Sequence, residues 1–137
     1  MKRALIILTA TALSCVGLSA VATAHTVKFD STVTIDYDKN GNDPDDFDGA
    51  VSSDRARCER NRTIQVFRRI PGDDALIGTT TTDAEGSWEL VLAGEATVGD
   101  YYAVAKRKKL RRNANHLHVC RRSVSETESV NGGPPAP

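Results

Sequence analysis

The stretch D-Y-D-K-N-G, Asp36 to Gly41, sets Asp36, Asp38 and Asn40 at every second residue and follows them with a glycine. Asp43, Asp45, Asp46 and Asp48 come next. This D-x-D-x-N-G spacing can direct several oxygens at one Ca²⁺ ion, with the glycine allowing the sharp turn that such a loop needs. Calcium takes about 6–8 oxygens, and a helix-flanked loop closes on a bidentate glutamate at its twelfth position. Here that position is Phe47, and the ninth is Pro44. A non-helical loop could recruit a later aspartate, so the candidate metal set is Asp36, Asp38, Asn40 and Asp43. The competing reading is an exposed hairpin: Asn40-Gly41 is a strong turn dipeptide, and the aspartates around it would keep the turn solvated. The missing closing ligand favours the hairpin. Calcium is then the one cofactor the stretch could take, and none is required.

Opposite in charge is K-R-K-K-L-R-R, with Lys106, Arg107, Lys108, Lys109, Arg111 and Arg112 in one run, joined later by Arg121-Arg122. Such a cluster attracts anions: glycans, lipid headgroups or nucleic acid. No aromatic residue interrupts it to stack a base, which with the export signal at the N-terminus excludes nucleic acid as the expected partner. An anionic cell-surface polymer or another extracellular protein fits better. The plainer reading is a solvated basic surface balancing the acidic one.

The three histidines make a third constellation. His116 and His118 are two apart and share a face if the segment is a strand. His25 becomes the first residue of the mature chain if cleavage follows Ala24. Its free amine together with His116 and His118 would suit copper. Cleavage before Thr23 would instead place His25 inside a short tail. Catalytic residues are not signalled: no G-x-S-x-G is present, and the chain is not expected to be an enzyme.

The front of the chain reads as an export signal. Lys2 and Arg3 precede an apolar run from Ala4 to Val21, and Ala22-Thr23-Ala24 supplies small residues for cleavage. Residues 1–24 are therefore expected to be removed and the remainder secreted, with no membrane helix left behind. Loss of Lys2 and Arg3 takes the basic count from 18 to 16, against 18 acidic residues. It also removes Cys15, leaving Cys58 and Cys120. In an exported chain an isolated pair reads as one disulfide.

Period-two patterning runs through the remainder of the chain. Val27 and Phe29, then Val33, Ile35 and Tyr37, then Ile64 and Val66 alternate with polar neighbours, as half-buried strands do. L-I-G-T-T-T-T leads to the turn D-A-E-G, and S-W-E-L-V-L leaves it with Trp88, Leu90 and Leu92 in line. G-D-Y-Y-A-V-A and H-L-H-V-C complete the series. Of the two faces of the former, Tyr101, Ala103 and Ala105 are expected inward. No segment carries a helical repeat. The fold class is all-β, an antiparallel sandwich of about seven strands over residues 25–129, with residues 130–137 a disordered Gly/Pro tail.

One combination is more specific. A cysteine precedes the T-I-Q-V-F-R-R strand, T-T-D-A-E-G-S-W forms a hairpin, G-D-Y-Y-A comes after it, and a second cysteine closes the series. This pattern resembles small secreted actinobacterial β-sandwich domains. Its T-D-x-x-G-x-W…G-x-Y part is similar to carboxypeptidase regulatory-like and transthyretin-like domains. The resemblance spans about residues 47–128 and implies an Ig-like or transthyretin-like sandwich. It also implies a structural or adhesive role without catalysis, because the shared motifs define turns and core rather than a site. The expected function is a non-catalytic secreted interaction or structural module, for which the cell envelope is a fitting location. The alternative is a metal-binding protein, with calcium at Asp36–Asp48 ahead of copper at His25, His116 and His118.

Overall fold

The computed structural model describes residues 25–39, 44–113 and 116–131. The proposed signal segment, and Asn40 and Asp43 of the candidate calcium set, lie outside them. The strands are β1 (His25–Phe29), β2 (Thr32–Val33), β3 (Asp36–Asp38), β4 (Asp46–Ser52), β5 (Thr63–Arg68), β6 (Ala75–Thr81) and β7 (Ser87–Val91). After them come β8 (Gly99–Ala105), β9 (Lys108–Asn113), β10 (His116–Cys120), β11 (Ser123–Val124) and β12 (Glu128–Val130). A single helical turn, α1 (Ala56–Glu59), is the only helix among the described residues. The chain is all-β, as its alternation required.

Among the described residues, twelve strands stand where about seven were expected. Part of the difference is interruption: β2 and β3 pair with β4 in one continuous register, Thr32 opposite Ser52 through Asp38 opposite Asp46. They are one strand broken at Thr34-Ile35, where the Thr34 amide still donates to the Ala50 carbonyl. The break has a cause at Gly49. A Cβ there would stand 2.3 Å from the Thr34 carbonyl oxygen and 3.0 Å from the Trp88 ring, so the backbone and the indole close in on a residue with no side chain.

The strands form three sheets. In the first, β8 lies between β5 and the short β11 and β12, and β6 flanks β5. In the second, β4 is bordered by β2 and β3 on one edge and β7 on the other. Their apolar faces share one cluster: Val33, Ile35, Phe47, Val51 and Trp88 from the second, and Ile64, Val66, Tyr101, Ala103, Ala105 and Val130 from the first. Tyr101 is 2 % exposed while Tyr102 is only half-buried, the expected register. Leu90 and Leu92 pack against the cluster rather than within it. Val130 is 3 % exposed and ends a paired strand, so the ordered domain reaches past the boundary expected at residue 129.

The D-A-E-G turn does not form a hairpin. β6 pairs with β5 and β7 with β4, so the turn carries the chain from one sheet to the other. Asp83 holds it, its carboxylate accepting from the amides of Glu85 and Ser87, and Gly86 takes φ +91°, which suits a residue without Cβ.

The third sheet, in the order β1-β10-β9, lies outside the expected antiparallel pattern because β1 and β10 run parallel. Two devices attach it. Cys58 in α1 and Cys120 at the end of β10 form the expected disulfide, with Cα atoms 5.4 Å apart. Beside it lies Arg62, fully buried. Its guanidinium donates to the carbonyls of Cys58 (2.8 Å), Lys106 (2.5 Å) and Arg121. Burial lowers the pKa of this group from its ordinary value. Three chain segments thus converge on one side chain, and the Arg121 carbonyl also accepts from the Ser31 hydroxyl at 3.5 Å.

Candidate functional site

Three polar clusters are positioned by this architecture. The first is an acidic sheet face. On β3 and β4, Tyr37 and Phe47 turn to the core, so Asp36, Asp38 and Asp48 lie on the other face and are exposed, while Asp46 on that face is itself buried. Asp36 lies opposite Asp48, Asp38 opposite Asp46, and Asp48 also opposite Glu89 of β7. An open concavity of about 660 Å³ lies beside them, lined in part by Asp38, Asp46, Asp48, Asp83 and Glu89. Partial burial and the charges of Asp36, Asp46, Asp38 and Glu89 raise the Asp48 carboxyl above its ordinary pKa.

Of the candidate calcium stretch, Asp36 to Asp38 are strand. Asp36 and Asp38 are separated along β3 by two residues, about 6.6–6.8 Å of chain, whereas ligands on one Ca²⁺ sit 2.3–2.6 Å from it, roughly. Asp45 is engaged elsewhere: it accepts from the Tyr37 hydroxyl at 2.6 Å and the Ala96 amide at 2.8 Å. Those two bonds hold its carboxyl below its ordinary pKa. Burial, then the bond to Asp45, pushes Tyr37 up to about 12. Asp45 thereby ties the segment before β8 to β3. Among the described residues no three His, Cys, Asp or Glu side chains come together as a metal site.

The second cluster is basic. Lys106 and Arg107 link β8 to β9 and are exposed, as are Lys109, Arg121 and Arg122. Lys108 is half-buried and donates its ammonium to the Arg60 carbonyl at 2.5 Å. Burial, and then the charges of Arg62 and Arg60, lower its pKa. Arg111 and Arg112 continue β9, Arg111 opposite Leu117. Arg121 pairs with Asp30 at 3.1 Å, an exposed contact of little energetic weight. The expected anion-binding run is thus an edge strand, paired on one side by β10.

The third cluster is the histidines. His25 lies opposite His116 across the parallel pair, their rings 6.3 Å apart, and His118 packs edge-on to Phe29 at 5.4 Å.

By residue type, Trp88 and Tyr101 could serve either as sugar-stacking residues or as core. Both are buried, at 4 % and 2 % exposure. The outward aromatics are Phe67 and Tyr102, stacked at 5.4 Å, with the Arg69 guanidinium 4.7 Å from the Tyr102 ring centre and Asp74 accepting from the Tyr102 hydroxyl. The signal for Tyr102 was the second face of G-D-Y-Y-A-V-A, the competing register; Phe67 lies in T-I-Q-V-F-R of β5.

Together these features define an all-β domain closed by a disulfide and carrying opposite charge on separate sheets. Comparison of the chain with protein-family models, curated proteins and solved structures finds no match.

Proposed function

We propose that the chain is an exported, non-catalytic β-sandwich module of the Ig-like or transthyretin-like kind, acting by surface contact at the cell envelope with an anionic polymer. The observation that carries this reading is the placement of Lys106, Arg107 and Lys109, all exposed, along the entry to and start of edge strand β9. Along an extended strand, alternate residues recur about every 6.6–6.8 Å, which sets charges in a row suited to a linear polyanion. The disulfide and buried Arg62 support a rigid platform beneath them. Export and cleavage before His25 belong to the same reading, supported by the leading sequence and the cysteine pair.

Retention on immobilised heparin, eluted with rising salt, tests it. Lys109→Glu should elute at clearly lower salt than the parent. Lys39→Glu makes the same change of charge beside the acidic sheet face and should elute close to the parent. Equal shifts for the two variants would mean that net charge, not the β9 edge, governs retention.

A further inference from the structure

The parallel pairing of β1 with β10 joins segments from opposite ends of the domain, and it sets two histidines side by side. His25 is the register partner of His116, so both side chains leave the same face of the third sheet. Both are exposed. Their rings stand edge to face, 74° apart in plane and 6.3 Å apart at their centres. Two imidazoles on one metal, through bonds of about 2.0–2.1 Å, have ring centres about 4.5 Å apart at a right angle and about 6.3 Å apart when opposed. The observed pair stands at the open end of that range, and rotation of either exposed side chain brings the rings closer. His118, one step along the same face, is occupied by its edge contact with Phe29.

Two imidazoles are too few for a firm site. Cleavage after Ala24 adds a third nitrogen, because it frees the α-amine of His25. That amine and Nδ1 of the same residue close a six-membered chelate ring on a metal. Nitrogen donors of this kind suit divalent copper, which binds them more tightly than nickel or zinc. We propose that the His25 amine, the His25 imidazole and the His116 imidazole form a three-nitrogen site for Cu²⁺. The proposal rests on export with cleavage before His25. It is compatible with the lack of any three-side-chain metal cluster among the described residues, since its third ligand is a chain terminus.

The test uses residues 25–137 released from a fusion so that His25 comes first, titrated with Cu²⁺ and followed by electron paramagnetic resonance. One ion should bind per chain, with hyperfine structure from three nitrogens. His116→Ala should lose one nitrogen, and its affinity should fall by more than the roughly 10–100-fold that even outer-shell partners are worth. A Gly-Ser-Gly-Ser extension ahead of His25 should abolish the chelate while leaving the circular dichroism spectrum of the parent. Identical titrations for the parent and His116→Ala would overturn the proposal through its geometry. An exported protein whose first residue is not His25 would overturn it through the cleavage, whatever the released chain binds.

Discussion

Replacing Arg62 should be the most damaging single change of a charged side chain in this domain. The perturbation is Arg62→Leu, which keeps bulk in a fully buried position and removes every donor. The carbonyls of Cys58 and Lys106 then lose this donor, and that of Arg121 keeps only its longer contact with the Ser31 hydroxyl. An unsatisfied buried polar group costs about 1–3 kcal/mol. Part of that sum returns because no guanidinium must be stripped of water, and the carbonyls left behind are neutral, so the net loss should be about 2–3 kcal/mol, the scale of a buried polar group left without its partner. Against a total stability of about 5–15 kcal/mol this is a large fraction. At roughly 4–8 °C per kcal/mol for a domain of this size, the melting temperature should fall by at least about 8 °C. Arg62→Lys retains the charge, but a compact ammonium cannot span three carbonyls, so it should lose most of the same stability. Thermal unfolding by circular dichroism, with the disulfide intact, reads both variants. Melting within about 3 °C of the parent would refute the reasoning and show that the carbonyls find other donors.

Three further outcomes are expected of the same structure. Changing Cys58 and Cys120 together to serine opens a ring whose ends are 62 residues apart, and the chain-entropy relation puts the loss at roughly 4 kcal/mol; an unchanged urea midpoint would show the bond to be dispensable. Asp48→Asn should stabilise the protein at neutral pH by a few tenths to about 1 kcal/mol, the scale of like charges across strands. The sign comes from the raised folded pKa: the native state binds the Asp48 proton more tightly, so this residue's destabilisation appears as pH rises through that pKa and is absent below the unfolded value of 3.8. The gain of the Asn variant should therefore vanish in acid, and a gain that persists there would point to another cause. Millimolar Ca²⁺ should leave the melting curve unchanged beyond a screening effect that sodium reproduces; a calcium-specific rise, lost in Asp38→Ala, would establish a calcium site.

How much the sequence disclosed can be judged residue by residue. The inward Ile64 and Val66 were legible because alternation in that strand is local and clear, and the cysteine pair was legible from its isolation. Tyr101, Ala103 and Ala105 required a choice between two apolar faces, the other of which also buries Val104. Phe47 was read as the wrong residue in a calcium loop, yet it is a fully buried core residue. The aspartates around it hid the alternation D-F-D-G-A-V, in which Phe47 and Val51 face inward. Arg62 sits in E-R-N-R, which reads as surface; its burial depends on three carbonyls brought together only by the completed fold. The parallel β1-β10 pair was hidden for a similar reason, since pairing over some ninety residues leaves no local signature. The two short strands β11 and β12 lie in polar sequence that carries no strand pattern, and Val130 is their one strong apolar anchor. At the histidines the residue types were legible and their adjacency was not.

An exported domain that begins at His25 and is closed by Cys58–Cys120 is the premise on which both the surface role and the copper site depend. Intact mass spectrometry of the protein recovered from the culture medium, before and after reduction and thiol alkylation, addresses this most directly. The expected result is a single species beginning at His25, lighter by two hydrogens than the reduced chain, with no thiol alkylated until reductant is added. A protein that retains residues 1–24, or one whose Cys58 and Cys120 are alkylated without reduction, would contradict it.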